Sequence, residues 1–132
     1  IGIIAIALQK LMKNEGMVKI GDWQQTRDFL YINDAIEAFI KAMTTDTQGW
    51  LAKDRIINIG TGQETSMANL IEQLEGMTQR KLKIARVLPE IGAPQRKALN
   101  CALANKILGW TPSTSLSEGL AECVATLDAS IN

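Results

Sequence analysis

Residues 56–66, Ile56-Ile-Asn-Ile-Gly-Thr-Gly-Gln-Glu-Thr-Ser66, join a short apolar run, two glycines one residue apart, and a polar lead into a helical repeat. A strand, a glycine turn and a helix N-terminus together can bind an anion, because free backbone N–H groups and the helix dipole point at the turn. The same order of elements is typical of α/β folds. The stretch therefore raises the question of whether the turn holds a dinucleotide.

The glycine turn lacks two parts of a dinucleotide fingerprint. That fingerprint has a third glycine, as in G-x-G-x-x-G, and an acidic residue about twenty positions further on for the ribose. Here Thr65 stands at the third glycine position, and the next predicted strand ends in Arg86 and Val87 instead of an acid. We interpret Gly60 and Gly62 as residues that permit a tight strand-to-helix turn.

The composition limits the possible functions. The 132 residues are expected to form one domain, 1–132, that can bury a core without disulfides or metals. Fourteen basic and fourteen acidic residues cancel, so neither nucleic acid nor a membrane is an expected partner. Histidine is absent, which removes the usual general base and the commonest zinc ligand. We interpret Cys101 and Cys123 as small buried hydrophobes of a cytoplasmic protein, not as metal ligands or nucleophiles.

The hydrophobic periodicity predicts a mixed α/β fold with short strands and four to five helices. Helices are expected over residues 2–14, 34–44, from 67 through 74, around 101–108 and from 116 onward, and strands over 17–20, 27–32, 55–59 and 81–87. The apolar residues 1–8 are too short to span a bilayer and predict a buried helix start.

Local signals predict the helix ends and the outer side of the second helix. Gly16 is expected to cap the first helix, Ser66 to begin the third, and Asp34 to cap the second. Ser115-Leu-Ser-Glu118 has the spacing of a capping box. In the second helix, apolar residues recur at helical spacing with an ion pair expected on the outer side: Ile36, Phe39, Ile40 and Met43, with Glu37 and Lys41.

A longer stretch carries a family resemblance. Gly21-Asp-Trp-Gln-Gln-Thr-Arg-Asp-Phe-Leu-Tyr-Ile-Asn-Asp-Ala35 resembles the G-D-G-x-Q-x-R-D-F-x-Y-V-x-D-x-A signature of the extended short-chain dehydrogenase/reductase family, the NAD-dependent nucleotide-sugar epimerases and dehydratases. Residues 58–62 are similar to its N-I-G-x-G turn, and residues 108–112 and 116–120 to its L-G-W-x-P and L-x-E-G-L blocks. These blocks correspond to the small C-terminal substrate-binding lobe of such an enzyme.

The resemblance implies a lobe without a complete Rossmann fold. The family's glycine fingerprint and its catalytic Y-x-x-x-K pair would lie before Ile1, and Tyr31 is followed four residues later by Ala35 instead of lysine. No catalytic residue, metal or cofactor is therefore expected in this chain. NAD or NADP is expected only together with a Rossmann half.

In that family, the arginine of Q-x-R-D-F contacts the diphosphate of the nucleotide sugar, and the strand before the G-D turn passes beside the base. The resemblance implies that Arg27 is the phosphate ligand and that Val18 and Ile20 flank the base. A planar guanidinium suits bidentate phosphate recognition. The alternative is that Arg27 pairs with a nearby aspartate to hold the hairpin: Asp22, Asp28 or Asp34.

The chain departs from the family pattern at five positions, and at two of them Asn100 and Leu103 replace the usual aspartate and lysine of the family's D-x-S-K-A block. When Gly92 is aligned with the glycine of the family's R-P-G-D loop, Glu90 stands where a second phosphate-binding arginine is usual and Ala93 where an aspartate is usual. Each lost charge-assisted contact is worth about 1.5–3 kcal/mol, so half of the nucleotide clamp is expected to be missing. Trp23 replaces the second glycine of G-D-G, either as an exposed partner contact or folded back against the core.

Three functions stay open. The first is a truncated substrate-binding domain, not catalytic alone, that binds a nucleotide sugar together with a separate Rossmann-domain chain. The second is a self-associating module, a homo-oligomer and in the commonest case a dimer, because the isolated lobe would leave apolar surface bare. The third is a gene fragment without a selected function.

Overall fold

The computed structural model describes residues 2–14, 16–46, 48–51, 56–88 and 92–131. The helices of these ranges are α1 (Ile3–Lys13), α2 (Ile32–Thr44), α3 (Met67–Thr78), α4 (Ala102–Leu108) and α5 (Leu116–Ile131). The strands are β1 (Met17–Ile20), β2 (Thr26–Arg27), β3 (Thr65–Ser66) and β4 (Lys83–Arg86). The predicted mixed α/β fold is confirmed.

The strands form two small ladders. β1 pairs in parallel with β4, with Met17 opposite Lys83, and β2 pairs antiparallel with β3, with Arg27 opposite Thr65. Along β1 the side chains alternate between exposed and buried, because successive side chains of a strand point to opposite faces. One face of β1 is therefore available to the helices.

The first core lies where α1, α3 and α5 pack against one another and against β1. Its buried side chains are Ala7, Leu8, Leu11, Val18, Ile20, Met67, Leu70, Ile71, Leu74 and Leu120. Burying one Leu or Ile side chain contributes about 1.5–3 kcal/mol, so this cluster supplies most of the apolar stabilisation. Of the predicted buried start of the first helix, Ala7 and Leu8 are buried, Ile3, Ile4 and Ile6 are partly buried, and Ala5 is exposed.

The second core joins α2 and α4 around Trp110. Its buried residues are Ala38, Ala104, Leu108 and Trp110. The Trp110 indole N–H donates to the main-chain oxygen of Asp34 at 3.0 Å, so this buried ring leaves no polar atom unsatisfied. The chain thus carries two separate apolar clusters.

Local sequence signals set two of the helix starts. The Asn69 N–H donates to Ser66 Oγ at 3.1 Å, which confirms Ser66 as the N-cap of α3. The Glu118 N–H donates to Ser115 Oγ at 3.2 Å and the Ser115 N–H donates to the Glu118 carboxylate at 2.8 Å, which confirms the capping box. The prediction of Gly16 as the cap of the first helix is wrong, because Asn14 takes the left-handed conformation and its N–H bonds the last turn.

One predicted strand is wrong in extent, and another does not form among the described residues. The strand predicted over 27–32 is limited to Thr26–Arg27, because its partner β3 has only two residues and α2 begins at Ile32. Residues 56–59 join no ladder within the described ranges, and Arg55 lies outside them. A strand forms only where a second backbone supplies hydrogen-bond partners, and the described residues supply none here.

The apolar side of α2 faces outward. The predicted Glu37–Lys41 pair is confirmed at 3.7 Å. The small side chain of Ala38 packs toward α4, however, and leaves the larger apolar side chains exposed on the opposite side. We call these residues the α2 surface, and each is at least 47% exposed: Ile32, Ile36, Phe39, Ile40 and Met43. Within the described ranges, no helix is both long and apolar enough to cross a membrane.

Candidate functional site

Arg27, the last residue of β2, is held by carbonyl groups. Its Nη1 donates to Thr26 O at 2.6 Å and to Pro94 O at 3.0 Å. None of the ion pairs in the described part of the chain includes Arg27, so the alternative that it pairs with a nearby aspartate is wrong. No carboxylate of the described ranges compensates the charge of this guanidinium, and two carbonyls hold its side chain in place.

The Asp28 carboxylate lies in the glycine turn and binds its backbone amides. Its carboxylate accepts hydrogen bonds from the Thr61 N–H at 2.9 Å, the Gly62 N–H at 2.9 Å, the Leu99 N–H at 3.1 Å and the Thr61 hydroxyl. Partial burial tends to raise the pKa of this carboxyl, but these hydrogen bonds together outweigh burial and hold its pKa below the ordinary value. The amides that could cradle a phosphate already bind a carboxylate.

The close approach of Asp28 explains the first glycine of the turn. A Cβ added at Gly60 would lie 2.8 Å from Asp28 Oδ2 and 3.1 Å from Leu99 Cδ1. Gly62 has a φ of +72°, which side chains other than glycine rarely adopt. These contacts support the interpretation of both glycines as structural.

Residues 94–96 dock on the free side of β2. The Thr26 N–H donates to Gln95 O at 2.8 Å, and the Thr26 hydroxyl donates to the Glu64 carboxylate at 2.6 Å. Arg96 donates hydrogen bonds to the same carboxylate through Nε and Nη2. These bonds, together with the one from Thr26, lower the pKa of Glu64 to about 2. Glu64 thus carries its charge at any ordinary pH, but the pair is exposed and adds little stability.

The side chains of Val18 and Ile20 belong to the first core and are 1% and 4% exposed. They can border a nucleotide base only through their main chain. Met17 and Lys19 carry the outward side chains of β1. The placement of Val18 and Ile20 beside a base stays a prediction.

The departures from the family pattern are only partly described. Glu90 lies outside the described residues. Ala93 is half-buried and precedes Pro94, whose carbonyl holds Arg27. Trp23 folds back against the first core, and its Nε1 is a buried donor without a partner in the described ranges.

Asp34 connects two distant parts of the chain. It lies inside the first turn of α2, and its carboxylate accepts from Ser113 Oγ at 2.9 Å and from the Thr114 N–H at 3.0 Å. Burial tends to raise the pKa of this carboxyl, but the bonds from Thr114 and Ser113 hold it below the ordinary value. The prediction that Asp34 caps α2 is wrong, because Tyr31 occupies the N-cap. Only the two hydroxyl residues after the L-G-W-x-P block could have signalled this contact.

A groove of about 210 Å³ lies between α1, α5 and the segment before α2. Its lining includes Phe29, Tyr31, Ile32, Leu116, Gly119 and Cys123, but not Arg27. The apolar character of this lining does not suit a diphosphate.

Both cysteines are free and partly buried. Burial, together with the charge of Asp28, raises the pKa of the Cys101 thiol, so it stays protonated and is a poor nucleophile. In the part of the chain that the structure describes, no three His, Cys, Asp or Glu side chains gather as a metal site requires.

Comparisons with known proteins identify the family of this chain. Residues 2–123 match the family model described as GDP-mannose 4,6-dehydratase. The UDP-glucose 4-epimerase of Mycolicibacterium smegmatis is 30% identical over 123 residues, which are 93% of this chain and 38% of that protein. The chain is also similar to the structure of Thermotoga maritima UDP-glucose 4-epimerase with UDP-glucose, with a TM-score of 0.87 and 29% identity over 99% of this chain and 40% of that one.

A further solved structure, MoeE5 in complex with UDP-glucuronic acid and NAD, gives a TM-score of 0.89 at 26% identity and covers 98% of this chain and 42% of that one. The chain thus spans about two fifths of the length of the proteins it matches.

Proposed function

The chain belongs to the extended short-chain dehydrogenase/reductase family of nucleotide-sugar epimerases and dehydratases, and on this premise we propose that it is the nucleotide-sugar-binding lobe of such an enzyme. One observation carries the proposal. Arg27 stands at the arginine position of the Q-x-R-D-F motif, is held by two carbonyls, and has no carboxylate partner in the described ranges. The similar T. maritima structure, which contains UDP-glucose, supports the ligand class.

The proposed role of this lobe is to bind and orient the substrate. Arg27 would bind the diphosphate and so fix the position of the sugar. The glycine turn does not fit the pyrophosphate of NAD, because the Asp28 carboxylate occupies its amides. A nicotinamide cofactor held elsewhere in the family fold would supply the redox chemistry.

The rest of the family fold, on the same polypeptide or on a second one, would cover the α2 surface. This surface is a continuous apolar side of a helix, and such patches normally mark interaction sites. Residues 56–59 join no ladder among the described residues, and a backbone without a strand partner can accept a strand. The lobe would be incomplete without that contact.

A second candidate is a self-associating module. The α2 surface also favours it, because a second copy could bury the same residues across a two-fold axis. The two candidates differ in ligand binding: a substrate lobe binds nucleotide sugars through Arg27, whereas a self-associating module need not.

Calorimetric titration of the chain with UDP-glucose, UDP-glucuronic acid, dTDP-glucose and GDP-mannose at low salt tests the proposal. We expect one of them to bind and Arg27→Ala to weaken binding by about 10- to 100-fold, because a charge-assisted contact is worth about 1.5–3 kcal/mol. Arg27→Lys keeps the charge but loses the planar guanidinium, so its affinity should lie between those of wild type and Arg27→Ala. Lys13→Ala removes the same charge from an exposed position at the end of α1 and should leave the affinity unchanged. Equal binding by wild type and Arg27→Ala, or no binding by wild type, contradicts the proposal.

A further inference from the structure

We propose that Asp28 is a positioning residue whose carboxylate acts as a built-in anion of the glycine turn and thereby holds Arg27 ready for its ligand. The inference rests on the proposed function only for the identity of that ligand. The arrangement itself stands on the contacts of Asp28.

The donors around Asp28 converge as they do on a bound anion. Three backbone N–H groups, from Thr61, Gly62 and Leu99, and the Thr61 hydroxyl all point at one carboxylate. Successive backbone N–H groups in a turn make a concavity that binds phosphate or carboxylate. Here the anion comes from the chain, and Gly60 leaves the space that it needs.

The carboxylate joins three segments that lie far apart in sequence. Asp28 follows β2, Gly62 belongs to the glycine turn, and Leu99 precedes α4. Without a negative charge at this point, three N–H donors would face one another. The ionised form of Asp28 is therefore the one that holds these segments together.

The contacts of Asp28 influence the position of Arg27 in two ways. Arg27 is the chain neighbour of Asp28, and Pro94 O, which accepts from Arg27 Nη1, lies in the segment that Leu99 anchors. The Thr26 N–H bond to Gln95 O fixes the same segment along β2. Loss of the Asp28 carboxylate would release the Leu99 end of residues 94–99 and leave the Pro94 carbonyl, which orients the guanidinium, held from the β2 side alone.

Asp28→Asn provides an isosteric test. In either orientation the NH2 group of the new amide faces N–H donors, those of Gly62 and Leu99 or that of Thr61. A neutral amide oxygen is also a weaker acceptor than a carboxylate oxygen for the donors that it does face. We expect the backbone amides of Gly62, Leu99 and Thr26 to exchange with deuterium about tenfold faster or more. The amides of Leu70 and Leu74, in the first core, should be unchanged. Affinity for the nucleotide sugar that binds wild type should fall although Arg27 is intact.

Asp28→Ala with added formate provides the matching rescue. Formate offers a carboxylate of the right size for the emptied turn, and should restore both amide protection and ligand affinity in a concentration-dependent way. Formamide has the same size without the charge and should restore neither. Arg27→Ala should lose ligand affinity without recovery in formate, and its Gly62 and Leu99 amides should exchange as in wild type.

Unchanged exchange at Gly62 and Leu99 in Asp28→Asn would overturn the inference, as would a uniform rise that includes Leu70 and Leu74. If Asp28→Ala does not fold, the isosteric variant still decides between these outcomes. If wild type binds no nucleotide sugar, the proposed function fails, while the exchange of Gly62, Leu99 and Thr26 still tests the positioning role.

Discussion

Single carboxylates hold this molecule together at the points where distant segments meet. Asp28 and Asp34 each accept several hydrogen bonds, and every partner lies more than thirty residues away in the chain. Both carboxyls have lowered pKa values for the same reason, since donors on all sides favour the charged form over the neutral one. The two residues are therefore more sensitive to substitution than their neighbours.

For Asp34→Asn we expect a loss of about 1.5–3 kcal/mol in the free energy of unfolding, because in either orientation the new NH2 group faces an N–H donor, that of Ser113 or that of Thr114. Urea unfolding at neutral pH measures it. Asp46→Asn, whose carboxylate accepts only from the nearby Gln48 N–H on the surface, serves as the control and should change stability by less than about 0.5 kcal/mol. A loss no larger than that of the control would contradict this role of Asp34.

The Asp34 effect should depend on pH in one direction. The folded-state pKa is lowered, so the stabilisation is fully present above the unfolded value of about 3.9 and is lost as the pH falls through the folded value. The difference between wild type and Asp34→Asn should therefore shrink in acid. A difference that grows below about pH 4 would show that the carboxyl is not stabilised in its charged form.

Two glycines should respond to alanine in opposite ways. Gly60→Ala should destabilise the fold by about 1–3 kcal/mol, because its Cβ would lie 2.8 Å from the Asp28 carboxylate. Gly76→Ala should stabilise it by about 0.5–1 kcal/mol, because Gly76 lies inside α3 with no atom within 4 Å of the added Cβ. Thermal unfolding of both variants checks the pair, and a stable Gly60→Ala protein would mean that the turn is not closed on Asp28.

For single residues, the sequence predicts contacts between residues that lie close together in the chain. The caps at Ser66 and Ser115 are predictable because donor and acceptor lie three residues apart. The partners of Asp34 are not, because only the fold brings residues 113 and 114 beside α2. The same limit applies to Arg27, whose binding by Pro94 O depends on a contact across 67 residues.

Among the elements, α2 shows what hydrophobic periodicity can and cannot predict. Its repeat correctly predicts a helix with one apolar side and an ion pair beside it. The periodicity does not show whether another element covers that side. In the structure, Phe39 and Met43 are 68% and 77% exposed. The strands predicted over 27–32 and 55–59 fail for a related reason, since β-forming residues pair only where a partner backbone is present.

Aspartate substitutions on the α2 surface should separate folding from association. Phe39→Asp and Met43→Asp should change the stability of the isolated monomer by less than about 0.5 kcal/mol, since both side chains are largely exposed. Each should abolish self-association, or association with the rest of the family fold, because a charge would be buried in an apolar contact. Sedimentation and thermal unfolding measure the two effects.

Ala42→Asp is the matched control, since it adds the same charge to an exposed position of α2 outside this surface. Association that survives Phe39→Asp and Met43→Asp would show that a different face forms the contact. A large loss of monomer stability would show instead that these residues pack inside the fold.

For the molecule as a whole, the family was predictable because its four sequence blocks lie in the right order along nearly the whole chain. The match of residues 2–123 to the family model confirms that prediction. The division into two cores was not predictable, because the residues around Trp110 come from four separate segments. Ala38 of the second core and the α2 surface lie on opposite sides of the same helix, so the outer side of α2 is what the remaining family fold would cover.

An NMR titration of the backbone amides with UDP-glucose, UDP-glucuronic acid, dTDP-glucose and GDP-mannose in turn tests most directly whether this chain binds a nucleotide sugar through Arg27. We predict shifts that concentrate at residues 26–28 and 95–97, around Arg27, and that disappear in Arg27→Ala. The apolar groove at Tyr31 and Cys123 should not respond. Shifts confined to that groove, or no shifts at millimolar ligand, would contradict the assignment of this lobe as a nucleotide-sugar-binding domain.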